Sequence, residues 1–204
     1  MAERITSRAN PLMAHIRRLA SSRSSRYEAG EYLGDGVKLL EEAARWGAPL
    51  TAVVYTPGTA LPALPAGVRL VEVPADVMRS VSPMEAPQGA LFLARIPDLT
   101  PPEALPGKRY LALEGVQDPG NVGTILRTAD AFGADGLLLL PGCADLYNHK
   151  TVRSSMGAPW RSSGRCPPGR DCPCWAPPCG RTPWTSGGRT WAGASSFWAA
   201  RAGD

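Results

Sequence analysis

The stretch that decides the fold is Leu113-Glu-Gly-Val-Gln-Asp-Pro-Gly-Asn-Val-Gly-Thr-Ile-Leu-Arg-Thr-Ala-Asp-Ala-Phe-Gly133. It reads as the end of a strand, a turn and a helix. Asp118-Pro119-Gly120 predicts a tight turn. A helix is expected from about Asn121 to Phe132, closed by Gly133. Val122, Ile125, Leu126, Ala129 and Phe132 form its expected buried face. Gly123 lets another backbone, or a nucleotide, come close. Asn121 is either an N-cap or a ligand-holding amide, and Arg127, well off the apolar face, is either a binding cation or a solvated surface charge. A helix N-terminus with an arginine nearby attracts phosphate. Open α/β sheets bind ligands at the carboxyl ends of their strands, so phosphate or RNA is the expected ligand.

Working outward, Tyr110 to Leu113 is the strand that feeds this turn, and Gly136 to Leu140 is a second. Its four consecutive leucines fit a parallel sheet covered on both faces. Asn148 caps an expected helix running to about Gly157. Upstream, Pro97, Pro101, Pro102 and Pro106 mark a stiff linker over residues 98–108. Before it, helices and strands alternate. Expected are a helix at 11–20 capped by Asn10, a short strand at Tyr32-Leu33, and a helix from Val37 to Arg45 with Val37, Leu40 and Ala44 on one face. Strands at 50–55, 68–73 and 89–96 and a short helix at 74–81 complete a small α/β unit. The expected organisation is therefore a first domain at 1–97, a linker at 98–108, the opening of a second α/β domain at 109–161, and an irregular tail at 162–204.

Charge is concentrated at the start. Residues 1–27 hold Arg4, Arg8, Arg17, Arg18, Arg23 and Arg26 against the single acid Glu3. Such a face suits a polyanion, or is simply a solvated helix surface. The first residues contain no apolar signal-peptide core, and no run of 18 apolar residues exists to span a membrane. The expectation is a cytoplasmic protein, in which five cysteines are not a disulfide framework.

Composition changes abruptly after Arg161. From Ser162 to Asp204 there is no Leu, Ile, Val, Met, Lys, Glu, Asn or Gln, while Cys166, Cys172, Cys174 and Cys179 and four tryptophans fall there. A disordered tail is one reading, although tryptophans are unusual in one. A metal site is a second, but the cysteines lack the paired spacing of zinc ribbons and no histidine stands near them, so no metal ligand is assigned. The favoured third is out-of-frame translation of GC-rich DNA, since Gly, Arg, Pro, Ala, Cys and Trp dominate the segment.

The pattern Asp118-Pro119-x-Asn121-x-Gly123-x3-Arg127-x-Ala129-x2-Phe132-Gly133 resembles the first motif of the SpoU/TrmH RNA ribose 2′-O-methyltransferases. Tyr147-Asn148-x2-Thr-Val-Arg153-x-Ser155-Met-Gly157-Ala resembles the segment that follows in that family. Thr6-Ser7-x2-Asn10-Pro11 and Arg26-x3-Gly30-x-Tyr-Leu-x-Asp-Gly36 resemble its N-terminal substrate-binding domain, with Asp35-Gly36 where the family usually has Glu-Gly. The resemblance implies a small α/β/α RNA-binding domain like a ribosomal protein, followed by the first half of an α/β-knot methyltransferase domain. It implies S-adenosylmethionine as cofactor, rRNA or tRNA as substrate, and a homodimer. Arg127 would be the catalytic arginine, with Asn121 holding it or the ribose, and Asn10, Arg26 and Arg153 would contact RNA. Arginine is a poor general base, its pKa lying above about 12, so Arg127 would orient the 2′-hydroxyl and a phosphate. Cofactor-binding residues stay unassigned. The family's later Gly-and-Glu loop and Ser-Leu-Asn motif, which bind the cofactor and build the knot and dimer interface, have no match in Ser162–Asp204. The chain is expected to hold the cofactor poorly and to lack activity as it stands. The alternatives are a non-catalytic RNA-binding protein and, third, a zinc adaptor.

Overall fold

The computed structural model describes residues 2–97 and 109–161, and the backbone of Thr185–Ser186, Arg189–Thr190 and Ala199–Arg201. The Pro-rich linker and most of the tail lie outside these residues.

The first domain is a five-stranded sheet. Its strands are β1 (Glu3–Arg4), β2 (Glu31–Asp35), β3 (Leu50–Tyr55), β4 (Arg69–Glu72) and β5 (Ala90–Arg95), in the order β1-β4-β3-β5-β2. β1, β4 and β3 run parallel, whereas β5 is antiparallel to both β3 and β2. Helices α1 (Pro11–Ser21), α2 (Arg23–Ala29), α3 (Val37–Arg45) and α4 (Ala75–Val81) cover it. Two elements go beyond the sequence reading: the edge strand β1 and the separate helix α2. Ser22 ends α1 and caps α2 through its hydroxyl, which accepts from the Ser25 N–H.

The sheet separates two apolar layers. On one side Met13, Ile16 and Leu19 of α1 and Val77, Met78 and Val81 of α4 pack on Leu33, Val54, Val71 and Leu91. On the other, α3 buries Leu39, Leu40 and Ala43. Its buried stripe is thus rotated from the expected Val37, Leu40 and Ala44. Gly34 of β2 stands opposite Phe92 of β5. A Cβ on Gly34 would sit 2.1 Å from the Phe92 ring, so glycine is what allows that ring to lie over the strand.

Phe92 leads into the second unit, because its ring meets Trp160 edge-on at 5.9 Å. That unit contains β6 (Tyr110–Leu113), α5 (Pro119–Ala131), β7 (Gly136–Leu139), α6 (His149–Ser154) and α7 (Ala158–Arg161). β6 and β7 are parallel neighbours joined by α5. One apolar cluster runs from Tyr32, Leu40 and Phe92 through to Val122, Leu126, Tyr147 and Trp160.

Three expectations are corrected here. The helix after Asn148 does not continue to Gly157: Met156 and Gly157 take φ of 51° and 82° and separate α6 from α7. Phe132 is not on the buried face of α5 but is 79% exposed, because the chain leaves the helix at that residue and turns through Gly133. The tail is not irregular throughout. Within it, β8 (Thr185–Ser186) pairs with β9 (Arg189–Thr190), and β10 (Ala199–Arg201) runs parallel to β7, giving β7 a later neighbour that composition did not predict.

Candidate functional site

The site is built at the start of α5. Asp118 is the N-cap: its Oδ2 accepts the Asn121 N–H at 2.7 Å, and Pro119 opens the first turn, where a missing N–H costs nothing. The helix therefore begins two residues before the sequence suggested. Asn121 is not its cap but an exposed residue of its first turn. Of the two roles open to it, the cap is taken by Asp118.

Arg127 is exposed, and among the described residues no hydrogen bond or ion pair engages it. It lies six positions beyond Asn121, a rise of roughly 9 Å and a turn of about 240° around the helix. The two side chains thus emerge on different sides of α5, so Asn121 does not hold Arg127 through a direct bond in this conformation. Arg127 is one turn beyond Gly123, whose face is pressed onto α6. A Cβ at Gly123 would lie 2.0 Å from Ser154 Oγ and 2.4 Å from the Thr151 carbonyl oxygen. This glycine permits the close crossing of α5 and α6, one turn before Arg127.

Arg153, on α6, does not point freely outward. It is half-buried with its guanidinium against the Met84 sulfur, and its charge reaches Asp35 at the end of β2. Burial pushes the Asp35 carboxyl above the usual carboxylate range, against the opposing pull of the Ser82 hydroxyl, 2.8 Å away, and of Arg153. Asn10 is the N-cap of α1, its Oδ1 accepting from the Leu12 N–H at 2.8 Å.

Arg26 requires the largest correction. Expected to contact RNA, it is 3% exposed and ion-paired with Asp145. Sequence reasoning missed it because the partner lies 119 residues away.

At the carboxyl ends of β6 and β7 the following loops close on each other. The Gly115 N–H donates to Pro141, the Ala144 N–H donates to Val116, and the Cys143 thiol donates to the Leu113 carbonyl. Gly115 and Gly142 pack so tightly that a Cβ on Gly142 would meet Gly115 Cα at 3.2 Å. Among the described residues these two loops therefore lie directly against each other at the strand ends. The four tail cysteines lie outside them; within them no group of three or more His, Cys, Asp or Glu residues gathers to hold a metal. No described helix is long and apolar enough to cross a membrane.

Comparison with known proteins agrees with this architecture. Residues 108–162 match the SpoU rRNA Methylase family and residues 10–91 match the MRM3-like substrate binding domain. The chain is 31% identical over 138 residues to the 23S rRNA (guanosine(2553)-2'-O)-methyltransferase RlmP of Bacillus subtilis, covering 67% of this chain and 54% of that one. It is 31% identical over 161 residues to the mitochondrial rRNA methyltransferase 3 of Homo sapiens, covering 73% and 38% respectively. Among solved structures, the AdoMet-bound rRNA methyltransferase from Sinorhizobium meliloti superposes with a TM-score of 0.64 at 30% identity, over 77% of this chain and 61% of that one. The chain thus spans about half, or less, of the length of the curated relatives it matches. With the α5 motif, the paired α6 segment and the preceding substrate-binding sheet all in place, the chain belongs to the SpoU rRNA methylase family of α/β methyltransferases.

Proposed function

We propose that this chain is the RNA-facing half of a ribose 2′-O-methyltransferase. It binds rRNA or tRNA but, as written, transfers no methyl group at a useful rate. The observation that carries the reading is the pair of exposed polar side chains on α5, Asn121 and Arg127, in a motif where three of the other residues are spent on structure. Asp118 caps the helix, Gly123 makes the crossing, and Ala129 is buried. Those two side chains have no structural work, which leaves them for a ligand. The family's substrates are polyanions, and an arginine matches a phosphate with paired donors. Arg127 would fix the phosphate beside the target 2′-hydroxyl, and Asn121 would contact the same nucleotide from the first turn. The exposed arginines of α1, Arg17 and Arg18, extend the basic surface on the first domain. Asn10 caps the start of the same helix, about two turns before them, its amide nitrogen still available beside the cap.

Cofactor binding is the missing half. S-adenosylmethionine, when bound, supplies the methyl group. The closed loops after β6 and β7, and the composition of residues 162–204, offer it no holder. The dimer implied by the family would be weakened for the same reason. A cytoplasmic site of action fits the bacterial rRNA methyltransferases among the relatives.

The test is RNA binding as a function of salt. The chain should bind a labelled RNA hairpin with an affinity that falls steeply as salt rises. Arg127→Ala should weaken binding and lower the log–log salt slope by about one. An affinity that ignores salt, or an Arg127→Ala variant identical to the parent, would count against the proposal.

A further inference from the structure

Arg26, on α2 of the first domain, reaches across to the second. Its Nε and Nη2 lie 2.7 and 2.6 Å from one carboxylate oxygen of Asp145, and its Nη1 donates to the Leu19 carbonyl at 2.7 Å. The other carboxylate oxygen of Asp145 accepts from the Tyr27 hydroxyl at 2.9 Å and from the Tyr147 N–H at 3.2 Å. Both charged side chains are almost wholly buried, at 3% and 5% exposure. Around them, Tyr147 packs on Tyr32 at 4.8 Å and edge-on to Tyr27 at 6.5 Å, and Trp160 donates to Tyr32. A buried ion pair is a poor source of stability compared with apolar packing, but it tolerates very little change in geometry. Its position here is what gives it consequence. Asp145 sits in the loop leading to α6, and its carbonyl accepts from the Thr151 hydroxyl inside α6. α6 in turn packs on Gly123 of α5, and α5 carries Arg127.

From this chain of contacts we infer that Arg26 and Asp145 form an interdomain lock, positioning α6, and through it Arg127, against the RNA-binding domain. Arg26 is thus a positioning residue that never touches RNA. The positioning role rests on the RNA reading given above; the lock itself does not.

The experiment uses the full chain and two readouts that need no RNA. The first is Tm for Arg26→Gln, Asp145→Asn and the double variant. The second is hydrogen exchange at the Trp160 indole N–H, followed by nuclear magnetic resonance and assigned with Trp160→Phe. Each single variant should lower Tm by on the order of 10 °C. The double should lower it no further than the worse single, and Trp160 exchange should accelerate by roughly tenfold or more. Arg26→Lys should recover part of the loss. Tyr27→Phe keeps both charges and removes one hydrogen bond, so it should fold even where the charge variants do not, and should still shift the Trp160 signal. Additive losses in the double variant, or a Trp160 signal unmoved in Tyr27→Phe, would overturn the lock. A chain that shows the lock but binds no RNA would leave the lock standing and remove the function proposed for it.

Discussion

The Trp160 indole N–H donates to the Tyr32 hydroxyl at 2.7 Å, in a buried position between α7 of the second unit and β2 of the first. Burial raises the Tyr32 phenol well above its ordinary range, despite the opposing hydrogen bond from Trp160, so this hydroxyl stays neutral and depends on protein partners. Trp160→Phe keeps an aromatic ring against Phe92 but leaves the Tyr32 oxygen without this donor. We expect a loss of about 1–3 kcal/mol by urea denaturation. A Trp160→Phe variant as stable as the parent would show that the hydrogen bond does not hold the seam.

Gly123 should tolerate no side chain. The Cβ of alanine would fall well inside contact distance of Ser154 and of the Thr151 carbonyl, which is backbone and not free to swing away. Alanine should gain about 1 kcal/mol in helix propensity over glycine. Forcing α5 from α6 costs about 1–3 kcal/mol or more, so the net effect of Gly123→Ala is destabilising. Thermal denaturation reads this, and a rise in Tm would contradict the crossing.

Asp118 and Asn121 should separate cleanly. Asp118→Ala removes the cap on the Asn121 N–H and should cost roughly 0.5–2 kcal/mol. Asn121→Ala removes an exposed amide and should change stability by less than about 0.5 kcal/mol, while weakening RNA binding. If Asn121→Ala unfolds as readily as Asp118→Ala, the amide belongs to the cap after all. Stability and affinity measured on the same two variants decide it.

His149 supplies a pH dependence. It packs at the domain seam with its Nδ1 buried and, among the described residues, unpartnered. Burial lowers its pKa below 6.5, with the charges of Lys150, Arg26 and Arg153 adding to the shift and a hydrogen bond to the Ala20 backbone opposing it. The folded state therefore favours the neutral ring. Its contribution to stability is full above about pH 6.5, where the unfolded ring is also neutral, and is lost as pH falls toward the lower folded value. Tm should drop on acidification from about pH 7 to about pH 5.5, and the drop should shrink in His149→Gln. Superimposable profiles for parent and variant would assign the acid sensitivity elsewhere.

The parts of this molecule legible in the sequence are those governed by local rules. The turn at Asp118-Pro119-Gly120, the apolar period through Leu126 and the leucine run of β7 each carry their pattern within a few residues. The failures have a common physical origin. Phe132 continues the helical period but lies at the residue where the backbone departs from the helix, so its ring leaves the buried face. Arg26 belongs to a basic run whose local reading is a solvated or RNA-binding surface, and only the tertiary approach of Asp145 draws it inside. Ala199–Arg201 carries no strand signal of its own, yet it pairs parallel with β7. Asn121 reads from sequence as either a cap or a ligand-holding amide, and only the structure shows that Asp118, three residues earlier, takes the cap.

The central claim is that this chain keeps the RNA-facing half of a SpoU-type site without the half that holds the cofactor. Isothermal titration of S-adenosylmethionine into the purified chain tests it most directly. The account predicts no saturable heat at micromolar cofactor. Stoichiometric binding with a micromolar Kd would contradict it, and would mean that residues 162–204 build a cofactor site their composition does not announce.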